Sequence, residues 1–82
     1  MYLDKINKLK NGNLLFVYYA NNKGRGTDNC TLVVAKSGTT RTPRSHQVNG
    51  TIATTRTSSW ALDINVSKKV CGLLGIEKSD IL

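Results

Sequence analysis

The chain has little of what chemistry usually requires. Among its 82 residues histidine occurs once, at His46, and proline once, at Pro43; cysteine occurs twice, and acidic side chains number five. Nucleophilic catalysis needs a serine or cysteine beside a base and an orienting group, and a lone histidine in a polar segment supplies neither neighbour. Asp4, Asp28, Asp63, Glu77 and Asp80 are scattered, with no pair spaced for acid–base work or for a metal. The expectation is a protein that is not an enzyme and uses no cofactor. Cys30 and Cys71 stand 41 positions apart with no histidine pair to complete a zinc set. In a reducing compartment they read as free thiols packed as small hydrophobes, with a disulfide as the alternative. Long apolar runs are lacking too. Leu14 to Ala20 is the longest, far short of the roughly 20 residues that span a bilayer. The opening Met1-Tyr2-Leu3-Asp4-Lys5 has no basic segment, apolar stretch or cleavage site of a signal peptide. No membrane attachment is expected, and the location expected is the cytoplasm, or that of a host cell if the chain is viral.

What the chain does have is positive charge. Twelve Lys and Arg against five Asp and Glu give a net +7, with an isoelectric point near 9.8. Such a balance favours association with polyanions and says nothing of fold. The length corresponds to one small domain. A domain of this size buries only about 60–65% of the surface that its unfolded chain exposes, so self-association would add to its core.

Residues 1–12 carry Leu3, Ile6 and Leu9 at spacings of three, which predicts a short amphipathic helix stopped by Asn11-Gly12. The same dipeptide allows a hairpin between Ile6–Lys10 and Asn13–Val17 instead. Leu14 to Ala20 is rich in β-branched and aromatic residues and apolar on both faces, which predicts a central strand covered on both sides. A polar, glycine-rich loop over 21–29 leads to a second strand at Cys30 to Lys36, antiparallel to the first. Trp60 to Val66 alternates as a half-buried strand, with Trp60, Leu62, Ile64 and Val66 inward. Ser67 then suits a helix N-cap, Val70, Leu73 and Leu74 form a buried stripe, and Gly75 fits the C′ position.

Between Ser37 and Ser59 the composition changes. The segment is acid-free and threonine-rich, it holds Arg41, Arg44, His46 and Arg56, and its only apolar members are Val48, Ile52 and Ala53. Asn49-Gly50 is a two-residue turn signal. A hairpin about it would set His46 opposite Ala53, Arg44 opposite Thr55 and Arg56 opposite Pro43. So few apolar groups cannot offset ordering entropy, so 37–59 reads as a basic β-ribbon arm or loop outside the core.

Residues 58–82 contain the run Leu62-Asp63-Ile64-Asn65-Val66-Ser67-Lys68-Lys69-Val70-Cys71-Gly72-Leu73-Leu74-Gly75-Ile76, followed by Asp80-Ile81-Leu82. This run resembles the AbrB/MazE-type swapped-hairpin family, in which an alternating strand leads into a short helix ending Leu-Gly-Ile. After a spacer, an aspartate opens the next strand. The resemblance implies a dimeric DNA binder, often a transcription regulator or antitoxin, in which two chains interlock. Ser67 departs from the family's usual proline, and Cys71 and Gly72 replace helix residues that several members use as bases facing DNA. A related fold would take its missing strands from 14–36 in permuted order.

Four groups of residues are candidates for binding. Arg41, Arg44 and Arg56, with His46, could lie along phosphates or enter a groove, since guanidinium meets phosphate or guanine in a bidentate manner. Lys23 and Arg25 sit in Lys23-Gly24-Arg25-Gly26, where glycines let a backbone approach phosphate closely; an ordinary hairpin connection is the alternative. Lys68 and Lys69 open the C-terminal helix, where first-turn amides add to their charge; a solvent-facing helix start is the alternative. Tyr19 and Trp60 could stack on bases, though aromatics on apolar strands otherwise belong to a core. The reading is an α+β fold: a small, mostly antiparallel sheet, a basic ribbon or loop and a short C-terminal helix. The expected function is nucleic-acid binding, DNA ahead of RNA, as a regulator acting as a dimer. The alternative is a viral-type inhibitor that binds an acidic or nucleic-acid-binding surface of a host protein.

Overall fold

The computed structural model describes residues 2–19, 29–38, 49–58 and 68–82. Within them the chain forms β1 (Tyr2–Lys8), β2 (Leu14–Tyr19), β3 (Asn29–Ala35), β4 (Thr51–Ser58), α1 (Lys68–Leu74) and a 3-10 turn at Lys78–Asp80. The four strands make one sheet in the order β1-β2-β3-β4, each pair antiparallel. The described fold is mostly β with one short helix, which agrees in this coarse sense with the expected α+β class.

β2 and β3 are the centre of the sheet because their side chains are apolar in both directions. Leu15, Val17 and Tyr19 of β2, with Cys30, Leu32 and Val34 of β3, build the face against which Val70 and Leu74 of α1 pack. Phe16 and Tyr18 join Val33 and Ala35 on the other face, with Leu3, Ile6 and Leu14 packed against them. Phe16 and Tyr18 meet edge to face, with ring centroids 6.5 Å apart and planes at 71°, a geometry worth about 0.5–1.5 kcal/mol beyond the area buried. No buried side-chain nitrogen or oxygen among the described residues lacks a partner.

Of the two readings of residues 1–12, the helix is corrected and the hairpin about Asn11-Gly12 is the one formed. Residues 2–8 are a strand, paired with β2 through the turn at Lys10-Asn11-Gly12. The spacing of three between Leu3 and Ile6 comes from a β-bulge, in which Leu3 opposes Tyr18 while Lys5 opposes Val17 and Asp4 is the extra residue, whereas Leu9 turns to the other face and packs beneath α1. One inserted residue restores Leu3 and Ile6 to the same face. In the turn, the Gly12 N–H donates to the Leu9 carbonyl and the Leu9 N–H to the Asn13 carbonyl, both at 2.9 Å. The Asn13 N–H donates to Asn11 Oδ1 at 2.9 Å. Gly12 takes φ +92°, so the loop is the three-residue type closed by a glycine bulge.

A second correction concerns the arm. Thr51–Ser58 does not stand apart from the body: it is the strand next to β3, with Ala53 opposite Val34, Thr55 opposite Leu32 and Arg56 opposite Thr31. β3 offers an open ladder, and β-branched threonines fit a pleated surface whose apolar packing is supplied by the neighbour. Ile52 is the bulged residue of this pair and is 52% exposed. The partners expected on the other side of the hairpin, Pro43, Arg44 and His46, lie outside the described residues, as does the expected strand Trp60 to Val66 and the cap Ser67.

The helix is where the pattern predicts it, with one side chain exchanged. Val70, Cys71 and Leu74 are buried, whereas Leu73 is 59% exposed. At 3.6 residues per turn, 70, 71 and 74 share a single arc and 73 falls beside it. Gly75 ends the helix at φ +72°. Its N–H donates to the Gly72 carbonyl at 3.2 Å, and the Ile76 N–H to the Cys71 carbonyl at 2.9 Å, the paired bonds of a Schellman cap. The chain then returns to the sheet, where Ile81 bridges Leu9.

Candidate nucleic-acid interface

Arg56 is held by the register of β4. Side chains directly opposite on paired strands share a face, so Arg56 stands with Thr31 and Tyr18 in one cross-strand row, and Thr54 with Val33 and Phe16 in the next. Thr31 is buried at 4%, yet Arg56 and Thr54 are exposed, so the sheet grades from apolar centre to polar margin along this face. Thr55 and Thr57 project to the opposite face and are half-buried. One guanidinium and one hydroxyl on a strand anchored to the core can meet a phosphate oxygen from a backbone that is already ordered.

Of the other residues expected in the site, Lys23, Arg25, Arg41, Arg44, His46 and Trp60 lie outside the described residues. Lys68 and Lys69 open α1 as expected, and their side chains are likewise outside the description. Tyr19 is a core residue, 3% exposed beneath α1 with Cys30 and Val17; it opposes Cys30 at one end of the two central strands, and its ring is not presented for stacking. Cys71 is buried at 3%, so that helix position faces the core. Burial pushes its thiol above the ordinary range, with Lys78 opposing the shift and Asp80 adding to it. Cys30 and Cys71 are both buried and not disulfide-bonded, and Cys30 packs in the apolar cluster beneath α1, as expected of small hydrophobes.

The fold also groups cations that nothing in their sequence positions connects. Lys8, Lys10, Lys36 and Lys78 are all exposed and all belong to one end of the sheet. Lys8 opposes Leu14, which opposes Ala35 beside Lys36. The Lys10 N–H donates to the Asp80 carbonyl at 2.9 Å, and the Leu82 N–H to the Lys8 carbonyl at 3.0 Å, which brings the turn carrying Lys78 to the same place. Among the described residues no group of three or more His, Cys, Asp or Glu could hold a metal ion. Nor is any described helix long and apolar enough to cross a membrane. Comparison with protein-family models, with curated proteins and with solved structures finds no match to this chain.

Proposed function

We propose that this chain is a small basic nucleic-acid-binding protein, a binder of DNA ahead of RNA, acting as a regulator without catalysis of its own. The observation that carries the reading is the acid-free, threonine-rich segment 37–59, whose second half is a strand of the sheet that presents Arg56 and Thr54 outward. A charge on a strand braced by the core loses less freedom on binding than one on a free arm. Arg41 and Arg44 occupy the connection that leaves β3 after Gly38 and returns at Asn49, and we assign them with Arg56 to phosphate contact. Lys23, Arg25, Lys68 and Lys69 support them, and Trp60 is the remaining candidate for stacking. The kinship to AbrB/MazE-type proteins, and the dimer it implies, belong to this proposal.

If about six cations neutralise phosphates, log K falls against log salt with a slope near −5, on the order of 10³ in affinity between 50 and 200 mM. A salt-titrated shift assay with duplex and single-stranded probes measures this. A flat response, or no binding at low salt, sinks the proposal. Light scattering gives the oligomeric state, and a clean monomer removes the interlocked dimer. The competing reading, an inhibitor seated on an acidic host surface, is supported by the same charge. It would show as one protein retained from lysate after nuclease treatment together with weak affinity for DNA.

A further inference from the structure

The second set of cations on the molecule is the lysine end of the sheet, assembled from three separate parts of the chain. We infer that Lys8, Lys10 and Lys78, with Lys36 beside them, form a second contact surface for the phosphate backbone of a polynucleotide. This inference rests on the nucleic-acid reading above and extends it to residues on other elements.

The surface is held by backbone. Leu9 and Ile81 form an antiparallel bridge, flanked by the bonds from Lys10 N–H to the Asp80 carbonyl and from Leu82 N–H to the Lys8 carbonyl. Leu9 is only 2% exposed in the core under α1, so the strand end that carries Lys8 and Lys10 is anchored by its own apolar residue. Lys8 opposes Leu14 and Leu14 opposes Ala35, which sets Lys8 two strands from the end of β3, about 10 Å at the usual strand spacing. That width corresponds to roughly three nucleotides at 3.4 Å per step of one strand.

Two acids share this end, and their local hydrogen bonds are already made. Glu77 and Asp80 form a reciprocal capping box about the 3-10 turn, with the Glu77 N–H donating to Asp80 Oδ2 at 2.9 Å. Neither Lys8, Lys10 nor Lys78 forms an ion pair among the described residues. Their ammonium groups are compact point charges on flexible stems, suited to following a phosphate backbone without reading bases. The chain also leaves β3 and returns to β4 at this end, where the Lys36 N–H donates to the Gly50 carbonyl at 3.1 Å. The surface therefore adjoins both attachments of the connection that carries Arg41 and Arg44.

The test compares the full chain with K8Q/K10Q/K78Q and with R41Q/R44Q/R56Q, by fluorescence anisotropy on a labelled duplex and a labelled single strand across a salt series. The lysine variant is expected to make the slope of log K against log salt shallower by about 2.7 on duplex and about 2 on single strand. K8R/K10R/K78R, which keeps the charges, is expected to restore it. A lysine variant that keeps the wild-type slope while the arginine variant loses it overturns this surface and leaves the nucleic-acid reading standing. Failure of the unsubstituted chain to bind either probe overturns both. Equal melting temperatures for the lysine variant and the parent separate loss of charge from loss of fold.

Discussion

Two glycines three positions apart, one inside a short helix and one just past its end, should respond to the same substitution in opposite directions. Gly72 is an exposed residue inside α1, and a Cβ built there meets nothing within 4 Å. Its φ is not positive, so alanine is sterically free and restricts the unfolded chain more than glycine does. The expected gain is about 0.5–1 kcal/mol. In a domain of this size 1 kcal/mol moves the melting temperature by about 4–8 °C, so Gly72→Ala should raise it by about 2–8 °C. The lower end applies because the residue lies within one turn of the helix terminus, where fraying dilutes propensity. Gly75 also meets open space, yet its φ is +72°, where an L side chain crowds the following carbonyl at about 1–2 kcal/mol. Gly75→Ala should therefore lower the midpoint and strain the bonds from the Gly75 and Ile76 amides to the Gly72 and Cys71 carbonyls. Urea titration followed by circular dichroism measures both, with unchanged m values showing that stability moved and the surface exposed on unfolding did not. Shifts of the same sign, or a destabilised Gly72→Ala, would refute the argument that backbone conformation alone separates these positions.

Other outcomes follow from burial and charge. Phe16 is fully buried, and Phe16→Ala should cost about 3–5 kcal/mol, which at about 4–8 °C per kcal/mol should lower the midpoint of a thermal melt by about 12–40 °C. Both cysteines are buried, so a thiol reagent should label the native protein slowly and the urea-unfolded protein at once. Because burial raises the Cys71 thiol above its usual range, the neutral form is the one that folding favours. The corresponding stability is complete below the unfolded thiol pKa, about 8.5, and is lost as pH rises through the folded value. Urea midpoints measured across alkaline pH should fall, and should fall less in Cys71→Ala. If Arg56 meets one phosphate, Arg56→Gln should make the salt slope on duplex shallower by about 0.9, with no change in melting temperature.

Much of the sheet was legible in local sequence because its centre is apolar on both faces. Leu14–Tyr19 and Cys30–Ala35 have no other way to bury their side chains, and Asn11-Gly12 and Gly75 mark chain reversals that demand positive φ. The N-terminal segment allowed both a helix and a hairpin because the bulge at Asp4 sets Leu3 and Ile6 three apart, a spacing that a helix also produces. Along the helix, periodicity identified Val70 and Leu74 but put Leu73 in the stripe where the fold buries Cys71, because that choice depends on the direction from which the sheet approaches.

Sequence alone determined the charge, the acid-free segment, the central strands and the helix cap, since each is a property of neighbouring residues. Tertiary structure decided the rest. It made Thr51–Ser58 a strand of the main sheet, because β3 supplied the ladder and the apolar neighbours that this segment lacks. It placed Tyr19 in the core, because both faces of β2 are covered. It also brought Lys8, Lys10, Lys36 and Lys78 to one end of the sheet. Lysines so far apart in the chain become neighbours only through strand register and the Leu9–Ile81 bridge, which no local pattern encodes.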